Sequence, residues 1–284
     1  MLNQYAVKSR LKIGMFRRTA LDKKQSSDLA RVKNADETMV KVSKVLLGES
    51  ATLKSLRQMA NKIRAFHYDN TLPWDDGGYR MLPNDHYTAY DKEMQGYMRQ
   101  FETLRAAFKK EYAADIVLAQ KNLGTMFDQD DYPDVSTIDA LVYLTLKYDP
   151  IANDADFRVT LPTEKMDELR ADWRTREKQI LVDANKHLWE RFSEIVTHAN
   201  ERLSKDGAKF HYTLPQSLAD FKDVLSGLNI TDDQLLSNLA ADAAKIADVP
   251  LDQLRKDSDV RAKAAKEQAV VLEKIQDKMK DFVQ

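Results

Sequence analysis

The sequence predicts a mainly α-helical protein: a multi-helix body with one long central helix and a small antiparallel β-sheet. Three observations predict it. Apolar residues recur at helical spacings over most of the 284 residues, period-two alternation is confined to short stretches, and Gly and Pro number only 8 and 7. A chain of this length can bury about 75% of its unfolded surface, and length alone predicts roughly two domains. The pattern divides into a basic strand with a helical hairpin over residues 1–70, a central helical body over 71–215, and carboxy-terminal helices over 216–284.

From Tyr5 to Met15 the odd positions read Tyr5, Val7, Ser9, Leu11, Ile13 and Met15, while Lys8, Arg10 and Lys12 take even ones. That is a strand with one apolar and one cationic face. Residues 141–148, Leu-Val-Tyr-Leu-Thr-Leu-Lys-Tyr, suit a second strand ended by Asp149-Pro150, and a lone strand would leave its backbone unpaired, so the two are expected to pair. Phe157 to Leu161 could add a third.

Val32–Leu47 and Leu53–Tyr68 carry helical spacings separated by Gly48. A turn-rich insert follows from Thr71 to Pro83, kept out of any helix by its prolines and paired glycines. Tyr90, Met94, Tyr97, Phe101, Leu104 and Phe108 then form a short heptad seam, expected to pack on a neighbouring helix of the same chain. The longest helix should run from Thr163 to Lys205 and stop at Asp206-Gly207. Thr231 and Gln234 are spaced as a capping box, and the last helix, Asp259 to Phe282, puts Val271, Ile275, Met279 and Phe282 on one face.

Composition excludes several chemistries. With no Cys there is no disulfide, thiolate zinc site or cysteine nucleophile. There is no Gly-x-Ser-x-Gly, no Gly-rich phosphate loop with a following Lys and no His-Glu-x-x-His, so no catalytic residue is assigned and no cofactor is expected. No apolar run approaches the ~20 residues needed to cross a bilayer, which predicts a cytosolic protein without membrane contact. The formal charge of −1 hides an asymmetry: residues 1–67 hold 15 Lys/Arg against 5 Asp/Glu, net +10, leaving net −11 for residues 68–284.

Four constellations carry two readings each. His187, Glu190, Glu194 and His198 share one face of the long helix, either as solvated residues flanking the core or as metal ligands. Asp128 to Asp134 starts like a calcium loop but has Pro133 where the sixth position needs Gly, which leaves an acidic turn facing solvent or docking on a cation or basic partner. The cations Lys8, Arg10, Lys12, Arg17 and Arg18 could contact nucleic acid phosphates, or be neutralised by acidic residues of the same chain. Within the insert, Trp74, Tyr79 and Arg80 either lock helices together or form a binding loop.

Thr71-Leu72-Pro73-Trp74 with Asp76, Gly77, Arg80, Leu82-Pro83 and Tyr87 resembles a block in a family of uncharacterised phage and prophage proteins. Asp131-Tyr132-Pro133, Asp156-Phe157-Arg158-Val159, the run from Leu228 to Asp233 and Leu254-Arg255-Lys256-Asp257 follow in the same order and spacing. More distantly, the amino-terminal strand and Gly14 are similar to bacterial proteins grouped as domain of unknown function 3150, whose pattern has Trp where this chain has Ile13. The resemblance implies a phage-encoded protein acting in the host cytoplasm, sometimes accompanied by a chelatase-like AAA+ ATPase, and it carries over no catalytic residue. The expectation is a non-enzymatic interaction or assembly protein that docks on a protein partner, such as an AAA+ ATPase, or on copies of itself. Its alternative is a nucleic-acid-binding accessory protein using the basic segment. The residues expected to make contact are Lys8, Arg10, Lys12, Arg17, Arg18, Trp74, Tyr79 and Arg80.

Overall fold

In a computed structural model of the chain, which describes residues 2–74, 77–153, 162–205 and 213–282, helices dominate and a small sheet forms around the amino-terminal strand. The strand expected over 157–161 and the Asp206-Gly207 stop lie outside the described residues. The chain folds into two compact units. Met1–Arg10, Tyr68–Tyr90 and Tyr148–Gln284 form the first, Leu11–His67 and Asp91–Lys147 the second.

The sheet contains four strands, β1 (Ala6–Gly14), β4 (Leu72–Pro73), β5 (Arg80–Pro83) and β6 (Tyr143–Asp149), in the order β4-β5-β1-β6. The two strands expected to pair are thus β1 and β6, and they are neighbours. The insert supplies the other two, which its prolines and glycines obscured. Pro73 and Pro83 are tolerated because one ends an edge strand and the other ends β5. The alternation along β1 is imperfect: Ala6 and Ser9 are its buried residues, and the Ser9 hydroxyl donates to the Arg80 carbonyl at 3.2 Å.

In the first unit the core lies along α5 (Thr163–Ser204), a 42-residue helix close to the expected span. Its fully buried residues all fall in the second half, Ala184, Leu188, Trp189, Phe192, Val196, Ala199 and Leu203. They meet Ala264, Val271 and Ile275 of α9 (Ser258–Met279) and Leu218, Phe221 and Leu225 of α6 (Thr213–Leu228). Phe192 and Phe221 stack 5.1 Å apart with rings 3° from parallel.

Trp189 needs a partner for its indole N–H inside this core. It donates to Asp233 Oδ2 at 2.9 Å, while Asp233 Oδ1 accepts from Leu236 N and caps α7 (Gln234–Ala244). Burial pushes the Asp233 carboxyl up, but the hydrogen bonds from Leu236 N, Trp189 and Asn185 outweigh it and hold the group below its ordinary value. The expected capping box is therefore shifted: Asp233 rather than Thr231 is the cap. Asn229 reaches the backbone N–H and carbonyl of Asp233, Asp232 takes the left-handed conformation at φ +52°, and Thr231 contacts Asn229 instead. α8 (Leu251–Lys256) precedes α9.

In the second unit the helix expected over Val32–Leu47 is absent. The chain instead forms β2 (Thr19–Asp22), α1 (Lys23–Lys33) and β3 (Val42–Val45). Asp22 caps α1 by accepting from Gln25 N, and Asn34 ends it in the left-handed conformation at φ +50°. Val42 N then donates to Ser26 Oγ at 2.9 Å, which holds Val42 to Val45 extended against β2, with Ala20 opposite Lys44. The apolar spacing that imitated a helix is overridden by one cap and one side-chain hydrogen bond.

α2 (Ala51–Asp69) matches expectation, and α3 (Asn84–Leu123) extends the heptad seam to 40 residues. Tyr90, Met94, Phe101 and Phe108 are buried, and Tyr97 meets Phe66 of α2 edge to face at 5.2 Å. Phe16, Phe108 and Tyr112 form a triangle of T-shaped contacts with centroids 5.6 to 6.1 Å apart. Tyr112 donates to the Pro133 carbonyl at 2.9 Å, and burial pushes its phenol up to about 12. The short helix α4 (Ile138–Leu141) leads into β6.

Gly14, at the end of β1, approaches this segment closely. A Cβ there would lie 2.6 Å from the Leu141 carbonyl oxygen and against the Tyr143 ring, whereas one on Gly96 of α3 would meet nothing within 4 Å. Urea unfolding is therefore expected to show Gly14→Ala losing about 1–3 kcal/mol of stability and Gly96→Ala gaining about 0.5–1 kcal/mol. Equal responses at the two glycines would contradict the close approach.

Candidate functional site

The hairpin of β4 and β5 and the first half of β1 gather two cations around two aromatic rings. In the β1–β5 register Lys8 stands opposite Met81 and Ser9 opposite Arg80, and the loop before β5 turns at Gly78, where φ is +77°. Lys8 Nζ lies 5.1 Å from the centroid of Tyr79 and 5.9 Å from that of Trp74, and Arg10 Cζ lies 5.0 Å from Tyr79. All four side chains are half-buried. Trp74 rests its other atoms on the apolar core of the first unit. Among the described residues neither Lys8 nor Arg10 has a carboxylate partner. The aromatic quadrupole offsets part of each charge, by about 0.5–1 kcal/mol per contact, and leaves the hydrogen-bond donors of the cations unfilled.

Arg80 does not join this cluster. Its Nε donates to Thr71 Oγ1 and its Nη2 to the Thr71 carbonyl, both at 2.7 Å, and its guanidinium covers the Tyr68 ring at 4.6 Å. It is a strut that ties β5 to the end of α2. Lys12, Arg17 and Arg18 belong to the second unit. Lys12 is exposed, and Arg18 stands near Arg57.

Arg17 is neutralised within that unit. Its Nη2 lies 2.6 Å from Asp131 Oδ1, and Lys44 Nζ lies 2.8 Å from Oδ2 of the same carboxylate. Lys44 is buried and also donates to the Met126 carbonyl at 2.8 Å. The stretch from Asp128 to Asp134 therefore departs from a wholly solvated acidic turn. Asp128, Asp130 and Asp134 face solvent, but Asp131 turns inward and Tyr132 is buried, donating to the Leu46 carbonyl at 3.2 Å. Removing one partner of a buried pair of this kind costs about 3–5 kcal/mol, because the other charge is left uncompensated.

The four residues of the His/Glu face of α5 differ in their surroundings. Glu190, Glu194 and His198 are exposed, and His187 alone is half-buried. Among the described residues no group of three or more His, Asp or Glu is placed to hold a metal ion. Burial first, and then the charges of Arg80 and Arg191, lower the His187 imidazole to about 4. Arg191 is itself paired with Asp69, 3.6 Å away. Of the other histidines, His67 is buried and His86 contacts Asn70 Oδ1 at 2.8 Å, while His211 lies outside the described residues.

Sequence reasoning placed Asp131 in an acidic turn without its partners, and missed Lys44 and Arg57. Asp131 pairs with a residue 114 positions away, a separation at which no local pattern carries information. Arg57 sits on a helix face that reads as solvated. Comparison of the chain with protein-family models, curated proteins and solved structures finds no match in any of the three.

The depressed His187 makes stability pH-dependent with a definite sign. The unfolded chain takes up a proton near the ordinary value of 6.5 while the folded chain resists until about 4. The stability tied to the neutral ring is present above pH 6.5 and is lost as pH falls toward 4. Thermal unfolding of His187→Gln is expected to show a smaller decline across that window than the natural chain, and parallel declines would contradict it.

Proposed function

We propose that this chain is a non-enzymatic docking protein whose contact surface is Lys8, Arg10, Trp74 and Tyr79, and that its partner is a protein presenting carboxylates. One observation carries the reading: two cations without a carboxylate partner among the described residues stand over aromatic rings on a sheet-supported surface. Aromatic and Arg side chains supported by a rigid element suit partner recognition. The resemblance to phage and prophage proteins puts an AAA+ ATPase among the candidates, and a second copy of the chain, whose residues 128–156 are net −7, is another.

The nucleic-acid alternative draws less support from the same geometry. Base stacking needs an open ring face, and Tyr79 carries two cations over its ring. Arg17, counted among the phosphate contacts, already pairs with Asp131.

Binding of the full chain to poly-L-glutamate and to a short oligothymidylate, each across a salt series, tests the choice. The expected result is poly-L-glutamate binding that the Lys8→Gln/Arg10→Gln variant weakens about tenfold, with the oligothymidylate bound more weakly. Tighter oligothymidylate binding through the same two residues would move the assignment to nucleic acid. Poly-L-glutamate binding that ignores the substitutions would remove this surface from the function.

A further inference from the structure

The second unit holds a cleft of about 440 Å³ whose lining includes Arg18, Lys54, Arg57, Gln58, Leu47 and Gly48. No carboxylate is among its lining residues; Glu49 lines a smaller, adjoining cleft that shares Val45, Leu47, Gly48 and Ser50 with it. Arg57 Nη2 donates to the Phe16 carbonyl at 3.0 Å, which fixes the guanidinium and leaves its remaining N–H groups for another acceptor. Among the described residues the Arg18, Lys54 and Arg57 side chains have no ion pair.

Some cations elsewhere in the unit have carboxylate partners: Arg17 and Lys44 with Asp131, Lys109 with Asp139, Arg31 with Asp28. Burial, and then the charge of Arg18, hold the Arg57 guanidinium below its ordinary value, as expected for two cations repelling across one concavity. An anion entering the cleft would turn that repulsion into attraction, and the fixed fork of Arg57 suits an oxyanion with two acceptors on one face. No aromatic ring is among the lining residues, so nothing there can stack on a base or a sugar. What the cleft can recognise is the phosphate itself.

We propose that this cleft binds a phosphate group, with Arg57 as the positioned fork and Arg18 and Lys54 as flanking charges. The group is either a free phosphate or the phosphodiester of a polynucleotide, and the two sources separate experimentally. The full chain is titrated calorimetrically with inorganic phosphate and, separately, with a short oligothymidylate. At least one is expected to bind, and Arg57→Gln and Arg18→Gln are each expected to weaken it about tenfold, the loss of one charge-assisted contact. Binding of inorganic phosphate alone assigns a free phosphate. Tighter, salt-sensitive binding of the oligothymidylate through the same residues assigns a phosphodiester. Lys54→Gln keeps the Arg57–Phe16 hydrogen bond intact and serves if Arg57→Gln unfolds. Lys8→Gln/Arg10→Gln is expected to leave the titration unchanged, so this site and the docking surface of the first unit stand or fall separately. Absence of binding by both probes at millimolar concentration, or binding that all three cleft substitutions leave intact, would overturn the proposal.

Discussion

Both edges of β1 are occupied, by β5 on one side and β6 on the other, and this double pairing is the constraint on which the sheet depends. Its partners arrive late in the chain: Ser9 meets Arg80, and Gly14 meets the Leu141–Tyr143 turn. No local sequence preference could assemble such a sheet, because each pairing closes a long loop before any hydrogen bond rewards it. The strand also decides where charge can stand. Lys8 and Arg10 are carried on a strand of the sheet and held against Tyr79, so their position is set by the sheet.

What was legible in the sequence is what local physics controls. α5 runs from Thr163 to Ser204, within a residue of expectation, because Pro162 and a long apolar stripe specify it directly. The heptad seam marked α3 for the same reason. The helix expected through Val32 to Leu47 failed because Asn34 takes a left-handed cap and Ser26 captures Val42 N, and neither event alters the apolar spacing. β4 and β5 were hidden by the very prolines that now end them. At the candidate sites the cationic alternation of β1 was readable, and so was the aromatic content of the insert. Their meeting at Tyr79 was not, nor was the inward turn of Asp131, because both join residues far apart in sequence.

The charge asymmetry takes on a different meaning once the ion pairs are known. A net of +10 over residues 1–67 marks that portion of the chain as basic without saying where its charge stands. The fold divides it: Arg17 and Lys44 are consumed by a single carboxylate, Lys8 and Arg10 rest on aromatic rings, and Arg18, Lys54 and Arg57 surround an acid-free cleft. Charge that is matched serves cohesion, and charge without a carboxylate partner is what a ligand or partner can satisfy. The distinction rests on pairing, which total charge does not report.

The two ends of the strand order are unequal. At one end β4 is two residues long and finishes in Pro73, which has no N–H to offer a further strand. The other end is β6, seven residues long. An assembly that grows by adding strands must use two opposite sheet edges in turn, and here one of them is closed. Growth that joins this sheet's own two edges in turn is therefore blocked at β4, and a pairing of β6 with β6 would be a closed two-fold contact that cannot extend.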